Sequence, residues 1–109
     1  MVDSSEQITL TEGVYLILLS MLRSRHGYAV MQHIGKLTKG RVVLGAGTLY
    51  GAINTLVEKR WIQAVGKAKD SRKKEYIITD LGKEVLRGDM ARMEELLVIG
   101  RSELERAQP

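Results

Sequence analysis

His26 and His33 are the only imidazoles in a chain of 109 residues that has no cysteine. They stand seven apart with no carboxylate or thiol set around them, a spacing that does not assemble the four ligands of a zinc site. The missing cysteines remove disulfide frameworks, zinc–thiolate sites, iron–sulfur clusters and thiol nucleophiles together. Ser20 and Ser24 lack a base and an orienting group nearby in the sequence. Gly45-Ala46-Gly47 has neither the dinucleotide-loop spacing nor the lysine of a P-loop. These residues point to no enzyme, no metal and no cofactor, with His26 read as a turn residue and His33 as exposed.

The residues that can do chemistry are cationic. Lys67, Lys69, Arg72, Lys73 and Lys74 fall within eight positions and are opposed only by Asp70. Like charges crowded on a short loop are costly without a counter-anion, and duplex phosphates supply one with release of condensed counterions. The bland alternative is a solvated, solubilising loop. The formal net charge of +4 is unevenly spread, with residues 1–22 at −3, residues 23–79 at +9 and residues 80–109 at −2. A basic middle between acidic ends suits a body that faces a polyanion.

These side chains need elements to hold them. With 44% apolar residues, the chain can bury a core of one domain. Thr9-x-x-Glu12 has capping-box spacing and predicts a first helix from there to about Arg25. Its apolar residues, Val14 and Ile17 among them, run most of the way round, so it needs more than one burying surface. The second surface is either another subunit or the rest of this chain.

His26-Gly27 breaks that helix, and Tyr28–Thr38 reads as a second, with Tyr28, Met31, Ile34 and Leu37 as its stripe and Lys36 on another face. Arg41–Leu44 reads as a pairing stub. Gly45–Thr48 opens a third helix with Leu49, Ile53, Leu56 and Val57 as its core row. Thr48, Tyr50, Asn54 and Thr55 then offer hydrogen bonds to base edges, and asparagine can pair bidentately with adenine. Both glycines leave backbone N–H groups that could take a phosphate.

From Trp61 the apolar period changes to two. Residues 61–65 and 75–79 read as a two-stranded ribbon whose tip is the cationic run. Thr79 or Asp80 caps a final helix with Leu86, Met90, Met93, Leu97, Gly100 and Leu104 spaced 4-3-4-3-4, the seam of a helix pairing. Met90 and Met93, with Gly88 and Gly100, make that seam soft, either a plain dimer core or a ligand pocket at its centre. The strongest apolar run, Val14–Leu22, is far short of the roughly 20 residues that span a bilayer. The acidic N-terminus does not resemble a signal peptide. A cytoplasmic protein without membrane contact is expected.

Three helices, a ribbon and a long helix make a mainly α (α+β) fold, a winged helix-turn-helix with a long C-terminal dimerisation helix. Residues 1–79 are expected to form the DNA-binding domain, including the N-terminal helix, and residues 80–109 the dimerisation helix.

Over roughly residues 10–86 the chain resembles the PadR-type winged-helix transcriptional regulators. The resemblance is carried by His26-Gly27-Tyr28, by Gly47-Thr48-Leu49-Tyr50, and by Tyr76 with Ile78-Thr79-Asp80-Leu81-Gly82. It implies a homodimer joined through the C-terminal helix with help from the first, as in the smaller branch of the family. It also implies repression of the protein's own or neighbouring promoters at dyad-symmetric sites, often relieved by a small molecule at the dimer interface. Carried over by position, Thr48, Tyr50 and Asn54 would face double-stranded DNA, and the basic wing would reach phosphates. The chain departs from the family pattern in having Gly51 in place of a proline and Arg60 in place of the glycine that ends the third helix. Asp70-Ser71 replaces the usual glycine pair at the wing tip. Its single tryptophan, Trp61, lies outside the last helix, where some relatives clamp flat drugs. The alternative from another class is a winged-helix interaction module that uses the basic wing to dock an acidic partner.

Overall fold

The computed structural model describes residues 8–66 and 73–107. In chain order the elements are α1 (Glu12–Ser20), β1 (Arg25–His26), α2 (Gly27–Leu37), α3 (Ala46–Glu58), β2 (Ile62–Val65), β3 (Glu75–Ile78) and α4 (Asp80–Arg106). The strands form one antiparallel sheet in the order β1-β3-β2. Ile62 pairs with Ile78 and Val65 with Glu75, while Arg25 pairs with Tyr76. The fold is the expected winged helix-turn-helix with a long C-terminal helix. The ribbon gains a third strand, β1, which a two-residue stretch of Arg and His gives no periodicity to announce.

α1 starts and stops later and earlier than its sequence suggests. Thr11, not Thr9, is the N-cap, with extended backbone and a side chain that accepts from the Val14 N–H. Glu12, which a capping box would turn back on the backbone, instead pairs with Arg41 in the α2–α3 connection. The helix ends at Ser20 rather than Arg25. There the Arg25 guanidinium donates to the Ser20 carbonyl at 2.6 Å, satisfying one of the orphan acceptors of the last turn. Apolar Met21 and Leu22 continue the hydrophobic run past this stop, which is why periodicity overruns it.

Leu16, Ile17 and Leu18 of α1 are all buried by the chain itself, so most of this over-apolar helix is covered without a second subunit. Around it pack Val30 and Ile34 of α2, Leu49, Ile53 and Leu56 of α3, Tyr76 and Ile78 of β3, and Val85 and Leu86 of α4. The α2 stripe is rotated from its expected position. Gly27, Val30 and Ile34 face inward, and Tyr28 and Leu37 are 59% and 50% exposed. His26 is more than a turn residue, because its Nδ1 accepts the Ala29 N–H as the cap of α2. Val57, expected in the α3 core row, is exposed, and Arg41–Leu44 forms no strand.

Thr79 caps α4, accepting the Gly82 N–H at 3.0 Å. The first turns of this 27-residue helix complete the core through Gly82, Val85, Leu86 and Asp89. The buried Asp89 carboxylate is met by Arg92, whose Nε donates to it at 2.8 Å. Beyond Arg92 every described residue of the helix is exposed, although Leu96, Leu97, Val98, Ile99 and Leu104 lie there. At about 1.5 Å per residue the helix is roughly 40 Å long.

Candidate nucleic-acid interface

α3 is held at both ends and bare along its outer side. At the N-terminal end the Tyr50 ring turns back across α2, and a Cβ on Gly27 would lie 2.7 Å from the Tyr50 hydroxyl oxygen. Only glycine lets the two helices approach this closely, which gives His26-Gly27-Tyr28 and Gly47-Thr48-Leu49-Tyr50 a shared physical reason. At the C-terminal end the Trp61 N–H donates to the Leu56 carbonyl and the Arg60 N–H to the Val57 carbonyl, each at 3.0 Å. That pair is a Schellman closure, with Arg60 at the left-handed position (φ 62°) where glycine is usual.

Rotation of about 100° per residue puts Leu49, Ile53 and Leu56 on the inner side and Gly47, Gly51, Asn54 and Glu58 on the outer. The inner three are buried and the outer four exposed. Thr48 and Thr55 lie on one flank of the outer face. The Thr55 hydroxyl donates to the Gly51 carbonyl at 3.2 Å and keeps its lone pairs free to accept. Nothing stands within 4 Å of where a Cβ would be on Gly47 or Gly51, so the first two turns present backbone to solvent. Gly45 caps α3 without a side-chain hydrogen bond, leaving first-turn N–H groups able to take an anion.

Of the residues expected to meet DNA, Thr48 and Asn54 are exposed on α3, about 120° apart around the helix, and Lys36 is exposed on α2. Tyr50 is half-buried against Gly27. Lys73 is exposed and Lys74 half-buried where the wing re-enters the sheet, whereas Lys67, Lys69 and Arg72 lie outside the described residues. Residue type alone passes over Gly51 as a member of the outer face. A signal for it exists, since it falls with Gly47 and Glu58 on the helical row opposite Leu49 and Ile53. Tyr28 and Val43 are also unexpected on the surface, the latter 82% exposed just before α3. Helical spacing places Tyr28 on the inner stripe of α2, and no period marks Val43.

His33 is half-buried rather than exposed. Burial lowers its pKa from the ordinary imidazole value, with Arg25 and Lys36 adding to the effect. The Arg41 guanidinium holds the Glu12 carboxyl below the usual range, chiefly through their hydrogen bond.

The residues expected to meet a second subunit divide into two sets. Ile17 and Leu86 are 2% and 4% exposed and belong to the chain's own core, and Val14 is half-buried. Met90, Met93, Leu97, Gly100 and Leu104 are exposed along one side of α4. Two open grooves flank the first half of that helix. One, of about 470 Å³, is lined by Leu19, Leu22, Leu86 and Met90 with Lys83 and Arg87 at its rim. The other, of about 400 Å³, is lined by Leu10, Tyr15, Leu16 and Met93 with Glu12, Arg41 and Asp89. No helix among the described residues is long and apolar enough to cross a membrane.

Solved structures share this fold. A transcriptional regulator from Clostridium thermocellum is 20% identical with a TM-score of 0.64, over 89% of this chain and 93% of its own. A PadR family transcriptional regulator from Eggerthella lenta is 25% identical with a TM-score of 0.65, over 87% of this chain and 82% of its own. A PadR-like transcription factor from Bacteroides fragilis is 22% identical with a TM-score of 0.63, over 82% and 85%. No curated protein sequence matches the chain. Residues 16–88, from the middle of α1 to the first turns of α4, match the family described as transcriptional regulator PadR-like, and the chain belongs to that family.

Proposed function

We propose that this protein is a homodimeric repressor that binds double-stranded DNA at its own or neighbouring promoters and is released by a small molecule. The observation that carries the reading is the outer face of α3. It is anchored at both ends and open at Gly47 and Gly51, with Thr48, Asn54 and Thr55 available for hydrogen bonds. A helix presented in this way enters a major groove, where asparagine reads adenine and the open backbone approaches closely. Lys36 and the wing residues Lys67, Lys69, Arg72, Lys73 and Lys74 would take phosphates, and the half-buried Tyr50 would act mainly by fixing α3 on α2. Residues 1–79 carry the DNA contacts in this reading and residues 80–109 the pairing of subunits.

The exposed row Met90, Met93, Leu97, Gly100 and Leu104 supports pairing, because a helix with such a row exposed needs cover. An effector would enter the groove of about 400 Å³ beside Tyr15 and Met93, next to that row. A DNA-bound regulator of this kind works in the cytoplasm and needs no cofactor or catalytic group.

The deciding experiment measures binding of the protein to its own upstream DNA and to random duplex of equal length across a salt series. The expected result is tighter binding to the upstream DNA. Lys73→Glu with Lys74→Glu should weaken both and lower the slope of log K against log salt by about one for each phosphate no longer neutralised. Equal, salt-fragile binding to both duplexes would replace this reading with a basic surface that docks an acidic partner.

A further inference from the structure

Thr79 stands where α3, the sheet and α4 meet. Its Oγ1 accepts the Gly82 N–H at 3.0 Å and donates its own hydrogen to the Arg60 carbonyl at 2.6 Å. Its backbone N–H donates to the Trp61 carbonyl at 2.9 Å. Both carbonyls belong to the turn that closes α3. Immediately before it, the Ile78 N–H donates to the Met21 carbonyl at 2.8 Å, tying the same corner to the end of α1. On the α4 side, a Cβ on Gly82 would run into the Trp61 carbonyl oxygen and the Ile78 side chain, so the first turn of α4 sits directly on the α3 closure.

Capping alone does not call for this arrangement. A cap needs only an acceptor, and aspartate serves as well as a hydroxyl. At α1 and α2 the capping side chains of Thr11 and His26 each accept one N–H. Thr79 accepts and donates at once, and the donated hydrogen goes to the turn that closes the helix carrying the candidate base-reading face.

From this geometry we propose that Thr79 is a positioning residue that fixes α3 relative to α4, so that the separation of the two α3 helices in a dimer is set through the Thr79–Arg60–Trp61 joint. The inference rests on the dimeric DNA-binding reading above. α4 pairs the subunits and α3 reads the duplex. A joint between the start of one and the end of the other converts the pairing geometry into a half-site spacing. Two-fold regulators of this kind meet half-sites about one helical turn apart, and a looser joint accepts more spacings.

The test compares the wild type with Thr79→Ser, Thr79→Asp and Thr79→Val. Serine keeps both roles, aspartate keeps the cap and loses the donated hydrogen, and valine loses both. Three readouts are taken: helix content, hydrogen exchange of the Arg60 and Trp61 amides, and affinity for symmetric duplexes that differ only in half-site spacing. The expected result is a serine variant like the wild type. The aspartate variant should keep its helix content, exchange those two amides faster, and lose about tenfold in discrimination between spacings, the size of one partly buried hydrogen bond. Wild-type exchange and spacing preference in the aspartate variant would overturn the proposal, as would a serine variant that behaves like valine. If the wild type itself shows no spacing preference, the dimeric DNA-binding reading fails. The exchange of the Trp61 amide still decides the joint, being faster with aspartate if the joint exists and unchanged if it does not.

Discussion

Arg60 holds a left-handed backbone at φ 62° with its side chain exposed and its carbonyl engaged by Thr79. A side chain with a Cβ is disfavoured there by about 1–2 kcal/mol, because the Cβ crowds the following carbonyl. Glycine removes that crowding and restores some freedom to the unfolded chain, so the net gain is smaller than the strain removed. Arg60→Gly is therefore expected to stabilise the fold by about 0.5–1 kcal/mol and raise Tm by about 2–4 °C. The carbonyl that Thr79 uses remains in place. Thermal denaturation checks this, and a lower Tm would mean that the guanidinium makes interactions worth more than the strain. Gly27 is the converse case. Its missing Cβ leaves room for the Tyr50 ring, and a methyl there would have to push α3 off α2.

α2 shows how a single element joins stability to protonation. His33 is half-buried on it, and its pKa is lowered by burial first and by Arg25 and Lys36 after that. The unfolded chain therefore binds a proton at His33 more readily than the folded one. Stability is complete above the unfolded imidazole pKa of about 6.5 and falls as the pH drops below it. Melting temperature should decline as the pH drops below about 6.5, and His33→Gln should flatten that decline. A slope identical in both proteins would show that His33 does not carry it.

The elements also differ in how far they can be read from the residues alone. α3, the paired strands β2 and β3, and α4 are legible because periodicity and end signals agree. Leu49, Ile53 and Leu56 mark one helical row, Tyr76 and Ile78 alternate, and Thr79 precedes a long run of good helix formers. β1 is not legible, because Arg25 and His26 are strand residues only through their pairing with Tyr76 and Glu75. The face of α2 is ambiguous in sequence because Tyr28 and Leu37 fit a helical stripe as well as Val30 and Ile34 do. Which row turns inward is fixed by Tyr50 lying on Gly27, an approach between residues 23 positions apart. At the candidate interface, residue type marks Thr48 and Asn54. It does not mark the open backbone of Gly51, because glycine in mid-helix offers no group to look for.

At the scale of the whole molecule the question is how the exposed half of α4 is covered. With Leu86 in the chain's own core, the exposed seam residues Met90, Met93, Leu97 and Gly100 have a 3-4-3 spacing that reads the same in both directions, so two copies can meet antiparallel with seam residue against seam residue. In that arrangement Met90 lies opposite the small Gly100 of the partner subunit. Arg87, at the rim of the groove of about 470 Å³, lies opposite Glu103 of the partner subunit. A parallel arrangement would instead set Arg87 against its own copy and Glu103 against its own, a like-charge pairing that disfavours it. Leu97→Arg places a charge near the centre of the seam, at a cost of more than about 2 kcal/mol, and should yield monomers in sedimentation. Arg87→Glu alone should weaken the dimer, and adding Glu103→Arg in the same chain should restore it, because the exchange re-forms the pair with its signs reversed. Dimers that survive Leu97→Arg would move the interface off α4, a dimer left unweakened by Arg87→Glu would fit parallel helices, and a double exchange that fails to restore would mean that Arg87 and Glu103 do not pair across the seam.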